Sequence, residues 1–311
     1  MKRIQYSRFG GHEQMRLEEF ELPQPGPQQV LVSMRAASLN PTDLKQREGK
    51  LWLITGRRFP RPMGTELSGI VAAVGRKVTR FRAGDEVFGA VPLRTSGAFA
   101  ERVMTDEKLL IHKPNSISFE LAATLSIVGI AAEQGLTKNA KLARGQSVFI
   151  NGCLGGVGQA AVQIARHIGA QVAGSCRAQA MERARSLGVD PVFDFTRFDP
   201  TSLRGKFDVV FDAAAKLSWA DNRMLLRPRG VCVDTNVNLG RLIRGVFAGG
   251  YKLVAAVPTV ERLQKVADLA VDGILAPSIG RTVPLTEAIE AIGEVEERGS
   301  ANGKLVITNM T

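Results

Sequence analysis

The chain has 311 residues, 44% hydrophobic and 23% charged, and this length predicts two domains that each bury a core. The composition excludes a disordered or fibrous protein, and no apolar run reaches the ~20 residues of a membrane-spanning helix. The N-terminus lacks the apolar stretch of a secretory signal, which favours a cytoplasmic protein. The three cysteines (Cys153, Cys176 and Cys232) are too few and too widely spaced for a disulfide framework or a four-cysteine zinc site.

The net charge is +11, from 41 Lys and Arg against 30 Asp and Glu. Such an excess attracts anions, including phosphorylated cofactors, nucleic acids and acidic surfaces. The basic residues are scattered, however, and aromatic residues make up only 6% of the chain. A dedicated nucleic-acid-binding module is therefore not expected, and a solvated basic surface is the simpler interpretation.

Residues 1–118 predict a β-rich domain. Short strand-like runs, such as 29–34, 67–75 and 99–103, alternate with Gly and Pro turns, and no helical repeat is present. A compact barrel-like unit is the natural interpretation of this pattern.

Residues 119–271 predict an α/β domain. An Ala-rich helical segment at 119–136 precedes a series of short strands, and helices at 160–168 and 178–187 each end at a glycine. The predicted strands are 147–151, 171–176, 192–195, 208–212 and 230–234. Alternation at this spacing predicts a parallel sheet with right-handed crossovers.

Residues 272–311 predict a short return to the first domain. It follows an amphipathic helix at 261–271, the last of the α/β domain, and contains a second one at 285–297 and a last strand at 304–307. The fold class is thus α/β, with a doubly wound sheet domain beside a β-rich domain, and a substrate cleft is expected between the two.

A glycine-rich turn, Gly152-Cys153-Leu154-Gly155-Gly156-Val157-Gly158, lies between a predicted strand and a predicted helix. Glycine permits the tight turn and the close approach of a diphosphate, and the helix N-terminus supplies free N–H groups. The strand before the turn, the helix after it and a second strand ~20 residues later are the context that a dinucleotide site requires. The alternative is a tight strand–helix turn without a ligand.

The end of the second strand distinguishes NADH from NADPH. An NADH site usually has an acidic residue there, whereas this chain has Ser175-Cys176-Arg177 and no carboxylate before Glu182. Arg177 could pair with a 2′-phosphate and Ser175 could donate a hydrogen bond to it, which favours NADPH. The alternative for Arg177 is an ordinary solvated side chain.

These patterns resemble the medium-chain dehydrogenase/reductase superfamily, in its zinc-free branch of quinone oxidoreductases and enone or alkenal reductases. The resemblance runs through nearly the whole chain. It includes 39–43 (LNPTD), 62–69 (PMGTELSG), 84–87 (GDEV), 97–101 (GAFAE), the glycine turn, 188–195 (GVDPVFDF), 207–212 (FDVVFD) and 303–306 (GKLV).

The resemblance implies a GroES-like β-rich substrate domain, an NADPH-binding Rossmann domain and a homodimer joined sheet to sheet. It also implies that Gly152, Leu154, Gly155, Gly156, Val157, Ser175, Arg177, Phe195 and Asn236 bind the cofactor. Zinc-dependent relatives have a Cys or His near residue 40 and a His before the Glu66 position. This chain has Asn40 and Thr65 there, which are poor zinc ligands.

Several residues depart from the family pattern. Leu154 replaces a small residue of the glycine turn, and Phe195 replaces a frequent tyrosine whose hydroxyl would help to hold the 2′-phosphate. Ala131, Leu51 and Ala301 stand where relatives often carry threonine, tyrosine and histidine. These departures bear on cofactor affinity and substrate preference.

Hydride transfer to a quinone or an enone produces an oxyanion that hydrogen-bond donors must meet, and a proton follows. Asn40 could donate through its amide, Lys45 is a weaker candidate for the oxyanion, and Asp43 is expected to orient its neighbours as an ionised carboxylate. The alternative for Asn40 is a turn with a side-chain cap. Glu66 is expected to act as a structural hydrogen-bond acceptor.

Three functions remain open at this point. The first is a metal-free, NADPH-dependent reductase of quinones or activated C=C bonds. The second is an NADPH-binding regulatory or RNA-binding protein of the same fold with little turnover. The third is an enoyl-thioester reductase, in which Arg57 and Arg58 would meet a coenzyme A phosphate.

Overall fold

The computed structural model describes residues 1–235, 250–299 and 302–309, which form two compact units. The first unit comprises Met1–Ile127, Pro258–Val271 and Pro277–Thr311, and the second comprises Val128–Val257 and Asp272–Ala276. The boundary thus lies at residue 127 rather than 118. The helix that begins at Val260, which the sequence grouped with the α/β domain, packs in the first unit.

The first unit contains two mainly antiparallel sheets. A three-stranded sheet has the order β2-β1-β4, and a seven-stranded sheet has the order β15-β16-β3-β5-β6-β8, with β7 paired to β3. The strands are β1 (Lys2–Tyr6), β2 (Met15–Glu19), β3 (Gln29–Ser38), β4 (Arg61–Pro62), β5 (Glu66–Val74), β6 (Glu86–Ala90), β7 (Arg102–Asp106), β8 (Leu110–His112), β15 (Ile279–Pro284) and β16 (Lys304–Thr308). Its helices are α1 (Pro41–Arg47), α2 (Trp52–Thr55), α3 (Phe119–Ala123), α8 (Val260–Val271) and α9 (Ala288–Arg298).

Alternation along β3 shows why these residues form a sheet. Val30, Val32 and Met34 are buried at every second position, as expected where successive side chains point to opposite faces. They join the main apolar core, which also takes in residues of α9 and β16. The core therefore depends on residues from both ends of the sequence.

The second unit is a six-stranded parallel sheet with the order β11-β10-β9-β12-β13-β14. Its strands are β9 (Ser147–Asn151), β10 (Gln171–Cys176), β11 (Val192–Asp194), β12 (Phe207–Asp212), β13 (Leu226–Asp234) and β14 (Tyr251–Leu253). Its helices are α4 (Val128–Glu133), a π-helical segment (Gln134–Asn139), α5 (Gly156–Ile168), α6 (Met181–Ser186) and α7 (Trp219–Leu225). Within the described residues, short 3₁₀ turns lie at His12–Gln14, Glu107–Leu109, Ala178–Ala180, Pro200–Leu203 and Leu285–Glu287.

This strand order identifies the doubly wound fold and confirms the predicted fold class. All five residues of β9 are buried, as a strand covered on both faces requires. The order reverses between β9 and β12, and ligands of such sheets bind beyond the carboxyl ends of the strands at that switch point. The glycine turn directly follows β9.

The prediction of one helix at 119–136 is wrong, because helix α3 ends at Ala123 and helix α4 begins only at Val128. At the break, the Ser126 hydroxyl donates to the Gly89 carbonyl at 3.0 Å, and the Ile127 N–H donates to Glu66 Oε2 at 2.9 Å. Ser126 and Ile127 thus form hydrogen bonds with distant residues, and the helix does not continue through them. Within the described ranges, no helix has the length and apolar character needed to cross a bilayer.

Strand β16 joins the end of the chain to its beginning through a buried ion pair. It lies between β15 and β3, and the ammonium of Lys304 is 2.7 Å from Glu66 Oε1 on β5. Both side chains are almost completely shielded from water. A buried pair of this kind is costly to break from one side, because the remaining charge loses its partner.

We expect Lys304→Met to lower the free energy of unfolding by about 3–5 kcal/mol, because Glu66 is left as a buried charge without its counterion. The double variant Lys304→Met/Glu66→Gln should recover part of this loss. The exposed Lys265→Met is the matched control and should cost less than about 0.5 kcal/mol. Urea denaturation of the four proteins measures these differences, and equal losses for Lys304→Met and Lys265→Met would contradict the prediction.

Candidate functional site

The glycine turn between β9 and α5 has the geometry of an anion-binding loop. Gly152 has a φ of +76°, a left-handed conformation that favours glycine, and a Cβ on Gly158 would lie 2.0 Å from the Gly152 carbonyl oxygen. Gly155 is the N-cap of the 13-residue helix α5, and its position provides no side chain to cap the helix. The N–H groups and positive dipole end of α5 are therefore available to a diphosphate.

The predicted phosphate-binding residues lie at this helix start. Gly155 is exposed, whereas Gly156, Val157 and Leu154 are half-buried. A Cβ on Gly155 would contact only the Gly152 carbonyl oxygen, at 3.4 Å, so the space in front of Gly155 is open. The Leu154 carbonyl accepts from the Gln159 side chain at 2.9 Å, which fixes the loop despite the larger residue.

A chain of buried hydrogen bonds fastens the turn to the neighbouring strands. The Ser175 hydroxyl on β10 donates to Asn151 Oδ1 at 2.6 Å, and Asn151 Nδ2 on β9 donates to Asp212 Oδ1 on β12 at 2.6 Å. Asp212 also accepts from the backbone N–H groups of Lys216 and Leu217. Burial raises the pKa of Asp212, while the hydrogen bond from Asn151 acts in the opposite direction.

Ser175 therefore has a different role from the predicted one. Its side chain is fully buried, because its position on β10 directs it into the unit rather than toward solvent. Its hydroxyl proton is used by Asn151, and its oxygen is 3.3 Å from the Gly152 N–H. Ser175 thus positions the turn, and the structure does not present it to a 2′-phosphate.

Charged and aromatic side chains are exposed beyond the carboxyl ends of the strands. Arg177 follows β10 directly and is exposed, and Phe195 follows β11 with 43% of its surface exposed. The Lys216 ammonium, from the loop after β12, lies 5.8 Å from the centre of the Phe195 ring. Lys216 was missed by the sequence analysis, and Asn236 lies outside the described residues.

In the first unit, a buried polar network surrounds Glu66. Its Oε1 accepts from Ser38 Oγ, from Asn40 Nδ2 at 2.8 Å and from Lys304 Nζ at 2.7 Å. Lys304 also donates to Asn40 Oδ1 at 2.8 Å. The expectation that Glu66 is a structural acceptor agrees with this arrangement.

This network corrects the expectation for Asn40. Its side chain is fully buried, and both ends of its amide are engaged with Lys304 and Glu66. The amide is thus committed to the interior rather than to an incoming oxyanion. Asn40 instead begins helix α1, where its backbone N–H donates to Asp43 Oδ2 at 2.8 Å.

Asp43 is buried in the first turn of α1. Burial raises the pKa of its carboxyl to about 7, although the hydrogen bond from the Asn40 N–H acts to lower it. Its Oδ1 and the hydroxyl of Thr65 are both buried, and the Thr65 hydroxyl also acts to lower this pKa. The expectation of a fully ionised Asp43 therefore does not hold near pH 7, where both the protonated and the ionised carboxyl are populated.

Lys45 is the one predicted catalytic residue with a half-exposed side chain. Lys304, which the sequence analysis used only as part of a family motif, is the lysine that joins the buried network. The sequence feature that could have identified Lys304 is its position as the one charged residue of strand β16. Asn151 and Asp212 carried a similar signal, because each ends an apolar strand with a polar side chain.

Comparisons with known proteins agree with this geometry. The model of the alcohol dehydrogenase GroES-like domain matches residues 26–115, and the model described as zinc-binding dehydrogenase matches residues 187–307. The quinone oxidoreductase of Pseudomonas aeruginosa is 31% identical over 98% of this chain and 99% of its own length. The chloroplastic NADPH-dependent alkenal/one oxidoreductase of Arabidopsis thaliana is 36% identical over 68% of this chain and 57% of its own length.

The solved structures include a full-length match. The quinone oxidoreductase of Escherichia coli, complexed with NADPH, superposes with a TM-score of 0.86 at 25% sequence identity. The match covers 99% of this chain and all of that one.

The raised pKa of Asp43 predicts a pH-dependent stability. Between about pH 4 and pH 7 the native carboxyl keeps a proton that the unfolded chain has released, so the wild type loses stability as the pH rises through that window. Asp43→Asn lacks this loss, and its stability relative to wild type should rise by roughly 2–3 kcal/mol from about pH 5 to pH 8.

Urea denaturation across this pH range measures the effect. The exposed Asp268→Asn on α8 is the control and should follow the wild-type curve. Parallel curves for Asp43→Asn and wild type would show that Asp43 titrates as an ordinary carboxyl.

Proposed function

The chain belongs to the medium-chain dehydrogenase/reductase superfamily, and on this premise we propose that it is an NADPH-dependent reductase of quinones or α,β-unsaturated carbonyl compounds. The observation that carries the proposal is the open glycine turn at the switch point of the doubly wound sheet. The names of the relatives agree with it, because they include quinone oxidoreductases and an NADPH-dependent alkenal/one oxidoreductase.

The second unit provides the residues that would hold the cofactor. The N–H groups of Gly156 and Val157, in the first turn of α5, would bind the diphosphate, and the absence of a side chain at Gly155 leaves the space beside them open. The Gly155 N–H itself donates to the Gly152 carbonyl at 3.0 Å and so closes the turn. Arg177 and Lys216 would bind the 2′-phosphate by charge, and the exposed ring of Phe195 offers a face for the adenine. Lys216 thus compensates for the hydroxyl that Phe195 lacks.

The first unit provides the residues proposed to act on the acceptor. When bound, NADPH supplies the hydride, and the acceptor becomes an oxyanion that needs a donor. We assign this donor to Lys45 rather than to Asn40, because Lys45 is partly accessible whereas the Asn40 amide is used inside the network. The buried Asp43 carboxyl would bind or release one proton near neutral pH.

We further propose that turnover does not need zinc. At the positions where zinc-dependent relatives carry ligands, this chain has Asn40 and Thr65. The Lys304 ammonium donates to Asn40 Oδ1, so a cation already occupies the neighbourhood and would repel a second one. The Glu66 carboxylate nearby already accepts from Lys304, Asn40 and Ser38, and Asn40 and Thr65 themselves offer only neutral groups, which bind Zn²⁺ poorly.

A reducing compartment and a homodimer complete the proposal. The three cysteines are buried and form no disulfide among the described residues, which fits a reducing compartment such as the cytoplasm. Strand β14 is the last strand of the six-stranded sheet in the described part of the chain, and its open edge could pair with a second copy.

Cofactor binding can be tested with two pairs of variants. Gly155→Asp should weaken NADPH and NADH alike, by more than about 100-fold, because its carboxylate caps the helix and repels the diphosphate. Lys216→Met should weaken NADPH about tenfold and leave NADH unchanged, because only NADPH carries the 2′-phosphate. Isothermal titration calorimetry measures both effects.

The matched controls are Gly155→Ala, whose Cβ fits the open space, and Lys206→Met, an exposed lysine at the amino end of β12. Both should bind within about threefold of wild type. If Gly155→Asp retains the nucleotide at full affinity, the glycine turn is not the diphosphate site.

Turnover is tested by NADPH absorbance with a small quinone, a small enone and an enoyl-thioester. We expect oxidation with the quinone or the enone that EDTA does not reduce, and a loss of about 100-fold in kcat for Lys45→Met but not for the exposed Lys50→Met. Negligible turnover with all three acceptors despite tight NADPH binding would instead support a binding protein. A rate seen only with the thioester would support an enoyl-thioester reductase.

A further inference from the structure

Three consecutive large apolar side chains of the first unit are exposed to solvent in helix α2. Leu53 is 80% exposed, Ile54 is 63% exposed and Trp52 is 40% exposed. Single exposed apolar residues are normal, whereas a contiguous exposed apolar group is typical of an interaction site. We call residues 52–54 the apolar tip.

The apolar tip is held in place by a buried arginine. Arg61 donates to the carbonyl oxygens of Thr55 and Gly56 at 2.5 and 2.8 Å, directly after the tip. It also donates to the Arg94 carbonyl at 3.1 Å, which brings the loop around Arg94 to the same place. The Thr55 hydroxyl closes the turn by donating to the Leu51 carbonyl at 3.0 Å. These hydrogen bonds hold the backbone next to the apolar tip, so its side chains are kept at the surface.

Exposed arginines surround the apolar tip. Arg57 lies over the Trp52 ring at 4.0 Å from its centre, Arg58 follows it, and the exposed Arg94 is joined to the same turn through Arg61. No salt bridge to any of these three arginines occurs in the described part of the chain. The patch thus combines projecting apolar groups with positive charge that no carboxylate among the described residues offsets.

We propose that the apolar tip and its arginines dock the protein on the surface of an anionic lipid bilayer. Leu53 and Ile54 enter the boundary between headgroups and acyl chains, Trp52 lies at the headgroup level, and the arginines bind lipid phosphates. A fluid interface needs no complementary pocket for a side chain as exposed as Leu53. A second copy fits less well, because its own arginines would face those of the first across such a contact.

This inference goes beyond reductase activity and does not depend on it. A quinone or enone acceptor that dissolves in lipid would be met at the bilayer, but docking itself requires neither NADPH nor turnover. Vesicle binding therefore tests the tip alone, and the two proposals can fail separately.

The full chain is mixed with vesicles of phosphatidylcholine containing about one quarter phosphatidylglycerol, or with vesicles of phosphatidylcholine alone, and sedimented. Wild type is expected to bind the anionic vesicles at least tenfold more tightly than the neutral ones, and added salt should weaken binding. Leu53→Ser/Ile54→Ser and, separately, Arg57→Gln/Arg58→Gln should each reduce the affinity about tenfold or more. Val271→Ser, at another apolar position of the first unit that is 51% exposed, should bind as wild type does.

A spectroscopic measurement locates the contact. The chain has two tryptophans, so Trp219→Phe leaves Trp52 as the single reporter. Its emission should shift to shorter wavelength with anionic vesicles and remain unchanged with neutral ones.

The proposal is overturned if wild type binds both vesicle types equally, or if the Leu53→Ser/Ile54→Ser variant binds as well as wild type. It is also overturned if sedimentation without lipid shows that this variant dissociates an oligomer, because the tip would then be a contact between copies.

Discussion

The carboxylate of Glu66 is almost completely removed from water, and the first unit is arranged around the need to balance its charge. Lys304 supplies the counterion, while Ser38, Asn40 and the Ile127 N–H supply the remaining donors. These partners come from β3, the start of α1, the segment after α3 and β16, so one charge fixes the relative positions of distant parts of the sequence. A buried ion is tolerated only when its hydrogen bonds are complete, and the geometry of the predicted catalytic residues follows from that requirement.

The second unit meets a similar constraint with neutral donors and one buried acid. Ser175, Asn151 and Asp212 link the carboxyl ends of three adjacent strands, and Asp212 continues the link to the loop that carries Lys216. The glycine turn and the residues proposed for the 2′-phosphate are thereby held by one hydrogen-bonded chain. In both units, the side chains that hold a site in place are buried, and the charged side chains proposed to meet a ligand are exposed or half-exposed.

The sequence predicted what depends on local pattern. The doubly wound sheet, the glycine turn before α5 and the exposed Arg177 after β10 are encoded within short windows, because turn chemistry and strand burial act over a few residues. Distant partners decided the rest. The amide of Asn40 is engaged by a lysine 264 positions away, and the helix after Phe119 is interrupted where Ile127 meets Glu66. The orientation of Ser175 depends on the register of the sheet, and the pKa of Asp43 depends on burial that no local motif encodes.

The position of β16 affects the order in which the two units can fold during translation. Residues 304–308 fill the place between β15 and β3, yet they are translated after every strand of the second unit. All the described strands of the nucleotide-binding sheet are therefore translated while the β-rich unit still lacks an inner strand and the counterion of Glu66. During synthesis, the second unit can mature first, whereas the sheet of the nascent first unit stays open until residues 304–308 have been translated.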